Sequence, residues 1–278
     1  MLASVSAKAA ISDSSEHLLV VEKLRVEFPR ESGLFAKSLA PFIAVDDVSF
    51  SVESGHTLGI VGESGSGKTT LGRAVLRLLE PTSGKVYFGG REMNHANGQE
   101  LLKLRRSMQI VFQDPGSSLN PRLSIGATLR EPLLVHGLVK DETAAIARVS
   151  SLLERCGMPA TAADKYPHEF SGGQRQRIGI ARALSVEPKL IVCDEPTSAL
   201  DVSVQAQILN LLKDLQRDMG LAYLFISHDI SVIDHMCYDI AVMRNGKIVE
   251  MGTREAVLRS PREQYTQDLL RAVPGRVA

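Results

Sequence analysis

The sequence has no tryptophan and only three cysteines in 278 residues. Cys156, Cys193 and Cys237 lie far apart and form no Cys-x-x-Cys pair. That argues against a metal finger or a disulfide framework and predicts reduced, buried thiols in a cytoplasmic protein. Charge of one sign is also missing, since Lys+Arg and Asp+Glu both number 32. A general nucleic-acid binder usually shows a basic excess, so no nucleic-acid partner is expected. No apolar run approaches the roughly 18 residues of a membrane span. The first residues lack a basic start followed by an apolar core, so no secretory signal is expected. Internal repeats and low-complexity tracts are absent as well.

What the chain does have is Gly62-Glu63-Ser64-Gly65-Ser66-Gly67-Lys68-Thr69. Four free positions between glycines, followed by Gly-Lys-Thr, make a phosphate-cradling loop. The apolar run 58–61 before it reads as a strand. Thr70 to Leu79 after it, with Leu71, Ala74, Val75, Leu78 and Leu79 apolar, reads as a helix. On such a turn, successive backbone N–H groups face one concavity and the helix N-terminus adds positive potential. Lys68 would reach the β- and γ-phosphates of a nucleotide, and the Thr69 hydroxyl would ligate Mg²⁺.

The chain around this loop alternates strands and helices. Residues 1–16, rich in Ala and Ser, predict a mobile tail. Strand-like runs at 18–28 and 43–52 flank a loop over 29–41, and predict an antiparallel layer beside the phosphate-binding core. Strands follow at 85–88 and 108–112. Residues 124–170 predict an inserted helical block, in which Ile146, Val149, Leu152, Leu153 and Cys156 share a face and Gly157 stops the helix. The alternation resumes with a strand at 189–193, a helix at 204–219 and a strand at 221–226. Asn245-Gly246 marks a tight hairpin between two short strands. Residues 254–273 predict helix broken at Pro261.

Ligands of open parallel sheets bind beyond the carboxyl ends of the strands. Here one strand delivers the phosphate loop, one delivers Asp194 and Glu195, one delivers His228, and a fourth ends at Gln113. Asp194 fits a carboxylate that holds Mg²⁺ through water. Glu195, one residue on, would orient or deprotonate the attacking water. His228 would sense the γ-phosphate or cap a loop. Gln113 alone is equally compatible with a structural loop residue.

A second anion-binding device follows the helical block. Ser171 caps a helix whose first residues are Gly172, Gly173 and Gln174. A chain that already cradles its own nucleotide would use this turn on the γ-phosphate held by another copy.

With these residues in place, the chain resembles the nucleotide-binding subunits of ATP-binding-cassette (ABC) transporters over residues 18–273. Residues 62–69 match Walker A, Gln113 the Q-loop, Ser171–Gln174 the signature, Leu190–Asp194 with Glu195 Walker B and the catalytic glutamate, Ser198–Asp201 the D-loop, and His228 the switch histidine. The longer signature has Leu where this chain has Phe170. The resemblance implies an α/β P-loop NTPase cassette: a RecA-like parallel-sheet core, an antiparallel β subdomain and an inserted helical subdomain. It implies ATP and Mg²⁺ as ligands. Thr70 and Asp201 join the nucleotide contacts, and Gln113 joins Thr69 and Asp194 at the metal. Glu195, His228, Gln113 and Lys68 are the implied catalytic set. The family also stacks an aromatic side chain on adenine. Phe28 is the match, with Phe35 and Phe42 as competitors and a core role equally open for Phe28.

Phe112-Gln113-Asp114-Pro115, Ser118-Leu119-Asn120-Pro121-Arg122, Tyr166-Pro167-His168-Glu169-Phe170-Ser171 and the tail with Tyr265-Thr266 resemble the oligopeptide and dipeptide importer subfamily. Nickel and glutathione importers share much of this pattern. The resemblance implies a homologous, often different, ATPase subunit as partner. It also implies two integral membrane permeases, an indirectly coupled extracytoplasmic solute-binding protein, and a place on the cytoplasmic face of the membrane. Some members carry a C-terminal iron–sulfur segment, but this tail has no cysteine for one. The implied division is a tail over 1–16, a cassette over 17–252 with its helical subdomain at about 114–183, and a helical tail over 253–278. Soluble ABC ATPases of chromosome maintenance split the cassette with coiled coils, and those of translation usually pair two cassettes. Neither pattern appears in the sequence.

Overall fold

The computed structural model describes residues 17–30 and 40–272, with the side chains of Pro115 and Ser117 left aside. The expected tail over 1–16, Phe35 and residues 273–278 lie outside the described residues. In chain order the strands are β1 His17–Phe28, β2 Phe42–Glu53, β3 Thr57–Val61, β4 Ser83–Phe88, β5 Arg91–Glu92, β6 Met108–Val111, β7 Leu190–Asp194, β8 Ala222–Ser227, β9 Asp239–Arg244 and β10 Lys247–Thr253. The helices are α1 Lys68–Val75, α2 Gly98–Ser107, α3 Pro115–Ser118, α4 Ile125–Val135, α5 Glu142–Arg155, α6 Gly172–Leu184, α7 Val202–Met219, α8 Ile230–Met236, α9 Arg254–Arg259 and α10 Gln264–Arg271.

Two sheets organise these elements. An antiparallel sheet runs β2-β1-β4-β5, and a mixed sheet runs β10-β9-β3-β8-β7-β6. Within the second, β9-β3-β8-β7-β6 are parallel and β10 is the antiparallel edge. The expected α/β cassette architecture is therefore present. Every residue of β3, β7 and β8 is buried, as strands covered on both faces require. Their side-chain alternation feeds two cores. Leu58, Ile60, Val192, Leu224 and Ile226 join the core under the antiparallel sheet. Val61, Ile191, Cys193, Tyr223 and Phe225 join the core under α6, α7 and the helical block. Tyr223 carries a hydroxyl into that apolar layer and satisfies it by donating to Leu212 O at 2.8 Å. The three cysteines are free and buried, and burial pushes the Cys156 thiol up to about 12.

The structure corrects the sequence reading in three places. The helix after the phosphate loop ends at Val75, well short of Leu79, and Leu78 is exposed. Arg77 takes a left-handed φ of 50° there and donates to Met93 O and Ala96 O, which closes the helix early. In α5 the buried face runs through Ala145, Val149, Leu152 and Leu153, whereas Ile146 is half exposed. Three helices, α2, α3 and α8, have no counterpart in the sequence reading. The hairpin is as expected: Asn245 and Gly246 both have positive φ between Arg244 and its partner Lys247.

Candidate functional site

Parallel pairing lines up the strand ends that carry chemistry. Val61 is opposite Ser227, and Asp194 is opposite Ile226. The loop after β3, the Asp194-Glu195 pair and His228 therefore leave one sheet edge side by side. They open into a cleft of about 710 Å³ whose lining includes Gly62–Gly65, Gly67–Thr70, Gln113, Glu195 and His228. A larger groove of about 930 Å³ lies on the antiparallel sheet and contains none of these residues.

The loop needs its glycines for two different reasons. A Cβ on Gly62 would sit 2.1 Å from Met243 O, and one on Gly67 would sit 2.2 Å from Ala44 O. Gly65 and Gly67 also hold φ near 80° and 104°, which other residues rarely adopt. The hairpin turn braces the loop from outside, with Gly246 N–H donating to Ser66 O at 2.9 Å. Lys68 is buried and folds back into the loop. Its Nζ donates to Gly62 O at 2.7 Å and to Glu63 O at 2.8 Å. Burial holds its pKa down, opposed by the charges of Glu195, Asp194 and Glu63.

Thr69 Oγ1 donates to Asp194 Oδ1 at 2.9 Å. Asp194 is buried at the end of β7, and burial pushes its carboxyl up while the Thr69 hydrogen bond pulls it down. The hydroxyl and carboxylate form a hard-oxygen pair suited to a Mg²⁺ that keeps water and phosphate ligands. Among the described residues no group of three or more His, Cys, Asp or Glu could hold a metal by itself. The donor set therefore fits an ion that arrives with a phosphorylated ligand.

Glu195 is the hub of the cleft. Its backbone takes φ 49°, and its N–H donates to Ile226 O at 3.0 Å, which clamps the residue onto β8. Its Oε2 accepts from Gln113 Nε2 at 3.1 Å and lies 3.1 Å from His228 Nδ1. Gln113, Glu195 and His228 thus share one carboxylate oxygen. A left-handed non-glycine residue costs on the order of 1 kcal/mol and concentrates at functional sites.

The remaining candidates lie elsewhere. Ser171 N-caps α6 in a reciprocal box: Gln174 N–H donates to Ser171 Oγ and Ser171 N–H donates to Gln174 Oε1. This turn is not part of the cleft lining. It packs beside the start of α7, where a Cβ on Gly172 would meet Leu200 Cδ2 at 3.5 Å and one on Gly173 would meet Val204 Cγ1 at 2.4 Å. Asp201 occupies the N-cap of α7 and is exposed. Phe28 pairs with Phe42 across β1 and β2, yet only Phe42 of the two lines the cleft. Ala44 and Leu269 also line it, and no local motif in the sequence marks them.

A family profile described as ABC transporter matches residues 45–198, more than half of the chain. The glutathione import ATP-binding protein GsiA of Salmonella paratyphi A is 52% identical over 259 residues, covering 93% of this chain. The protein of that name from Escherichia coli is 53% identical over the same length. The chain spans 41% of the length of these relatives. Among solved structures, CbiO1 of Clostridium perfringens, part of an ABC transporter complex, superposes with a TM-score of 0.74 at 28% identity, covering 88% of this chain and 92% of that one. A dimeric post-hydrolysis state of the ATP-binding cassette MJ0796 with ADP and Pi reaches 0.72 at 28% identity, covering 85% and 98%.

Proposed function

Because the chain belongs to the ABC transporter family, we propose that it is the ATP-binding and ATP-hydrolysing part of an importer for a small peptide-like solute. The observation that carries this reading is the shared oxygen of Glu195, touched by both Gln113 and His228 in a cleft walled by the phosphate loop. The loop amides and Lys68 hold the β- and γ-phosphates, with Lys68 aimed by Gly62 O while its other ammonium protons turn to phosphate oxygens. Thr69 and Asp194, with Gln113, hold the Mg²⁺, which when bound neutralises charge on the phosphates. Glu195 orients a water and takes its proton as the water oxygen attacks the γ-phosphorus. The bond from that phosphorus to the bridging oxygen breaks, and ADP and phosphate leave. His228 and Gln113 fix the Glu195 carboxylate for that transfer. Of Phe28 and Phe42, the two candidates among the described residues, Phe42 lies on the cleft wall and is the one assigned to the base.

The turn Ser171–Gln174, with Asp201 beside it, serves the nucleotide of a second, homologous ATPase subunit. Two ATP molecules are then sandwiched between two such units, and closure is stabilised by contacts absent from the open form. In this reading the cassette spans 17–252, with the helical subdomain at about 114–183 receiving the two membrane permeases and the tail at 253–278 appended. The protein works on the cytoplasmic face of the membrane, coupled through the permeases to a solute-binding protein outside. Among the described residues no helix is long and apolar enough to cross a membrane. The relatives are named for glutathione import, which favours glutathione, a thiol tripeptide, within the peptide-importer class.

Purification of the intact assembly tests this reading. The chain is expected to co-purify with integral membrane proteins, and glutathione or short peptides, presented with the solute-binding protein, should raise ATP turnover. Absence of any membrane partner, or stimulation by nickel chelates alone, would contradict the proposal.

A further inference from the structure

A contact between the C-terminal helix and the phosphate loop extends the nucleotide-binding reading, on which it rests. The eight-residue helix α10 lies against the loop, although Glu63 and Tyr265 are 202 residues apart in sequence. Glu63 N–H donates to the Tyr265 hydroxyl at 3.2 Å. The Tyr265 ring lies under the Arg244 guanidinium, with its centroid 4.6 Å from Cζ. Leu269, one helical turn after Tyr265, lines the cleft. The start of α10 is anchored as well, because Arg262 N–H and Glu263 N–H donate to the Glu250 carboxylate of β10 at 2.8 and 3.2 Å.

The peptide group between Gly62 and Glu63 is therefore held at both ends. Its N–H is taken by Tyr265, and its C=O accepts from Lys68 Nζ at 2.7 Å. Gly62 has no side chain to restrain that peptide, and a Cβ there would sit 2.1 Å from Met243 O. If the N–H end were released, the peptide could swing, and the carbonyl that aims Lys68 would move with it. We infer that Tyr265 is a positioning residue for phosphate binding: it fixes the Gly62–Glu63 peptide and, through it, Lys68. Arg244 holds the ring in place by cation–π contact, the more effective because the ring is partly desolvated.

Tyr265→Phe keeps the ring and its Arg244 contact and removes only the hydroxyl, so the fold is retained and the unfolding midpoint of the full-length chain checks this. Affinity for Mg-ATP and for Mg-ADP should fall about fivefold, the worth of one neutral hydrogen bond. Affinity for adenosine, which has no phosphate, should be unchanged. Amide hydrogen exchange at Glu63 should accelerate, while exchange along β3 stays slow. Unaltered ATP affinity with unaltered Glu63 exchange would overturn the inference. Equal weakening of adenosine and ATP would also overturn it, by showing that the residue merely supports packing. A wild-type chain that binds neither Mg-ATP nor Mg-ADP would instead overturn the nucleotide-binding reading, and this inference with it.

Discussion

Glu195→Gln should lose ATP turnover by about 10²- to 10⁴-fold, the usual contribution of a positioned general base, and still bind ATP. The two halves of the expectation have separate origins. Gln keeps the shape of Glu, so the clamp of residue 195 onto Ile226 O and its place beside Gln113 and His228 survive. What disappears is the group that accepts a proton from water. The phosphate-holding parts, Lys68 and Thr69, do not depend on that proton. Removing the Glu195 charge also lifts one source of repulsion against an incoming polyphosphate, so affinity should hold or improve. Phosphate release and equilibrium ATP binding, measured on the same preparation, separate the two halves. Hydrolysis at the native rate would show that Glu195 is not the base.

Lys68→Ala should act on the opposite half. Affinity for ATP should fall about 10- to 100-fold, the range for a charge-assisted hydrogen bond lost to a buried acceptor. Lys68 is buried, and its ammonium is held by Gly62 O and Glu63 O when no phosphate is present. Its removal therefore takes the Lys68 donor from Gly62 O and leaves Glu63 O with the Ser66 N–H, and some stability is expected to go with it. An unfolding curve on the nucleotide-free variant separates that cost from the binding loss. Calorimetric titration with Mg-ATP gives the affinity. Native affinity in a folded Lys68→Ala chain would remove the phosphate cradle from the account.

Much of the site is legible in the sequence because it is local. The octet at 62–69, the pair at 194–195, the Ser171–Gln174 box and the Asn245-Gly246 turn each act through neighbours within a few residues, where spacing dictates geometry. The convergence of strand ends is legible too, since a parallel sheet puts successive carboxyl ends on one edge. What was not legible depends on register or on distant packing. Whether Phe28 or Phe42 reaches the cleft is decided by how β1 and β2 pair, with bulges along the ladder. Ile146 and Ala145 are adjacent in α5, and only the packing of the helical block decides which one turns inward. The early end of α1 depends on Arg77 reaching carbonyls 16 and 19 residues further on. The contact of Tyr265 with Glu63 has no local signal at all.

The physical core of the proposed reading is that the Ser171–Gln174 turn, which is not in the cleft lining, serves the γ-phosphate of another copy. The most direct measurement is the ATP hydrolysis rate per chain as the protein is diluted, with sizing at each concentration to report whether chains are single or paired. The account predicts that the rate per chain collapses as pairs dissociate. Undiminished turnover in a population shown to be single chains would contradict it.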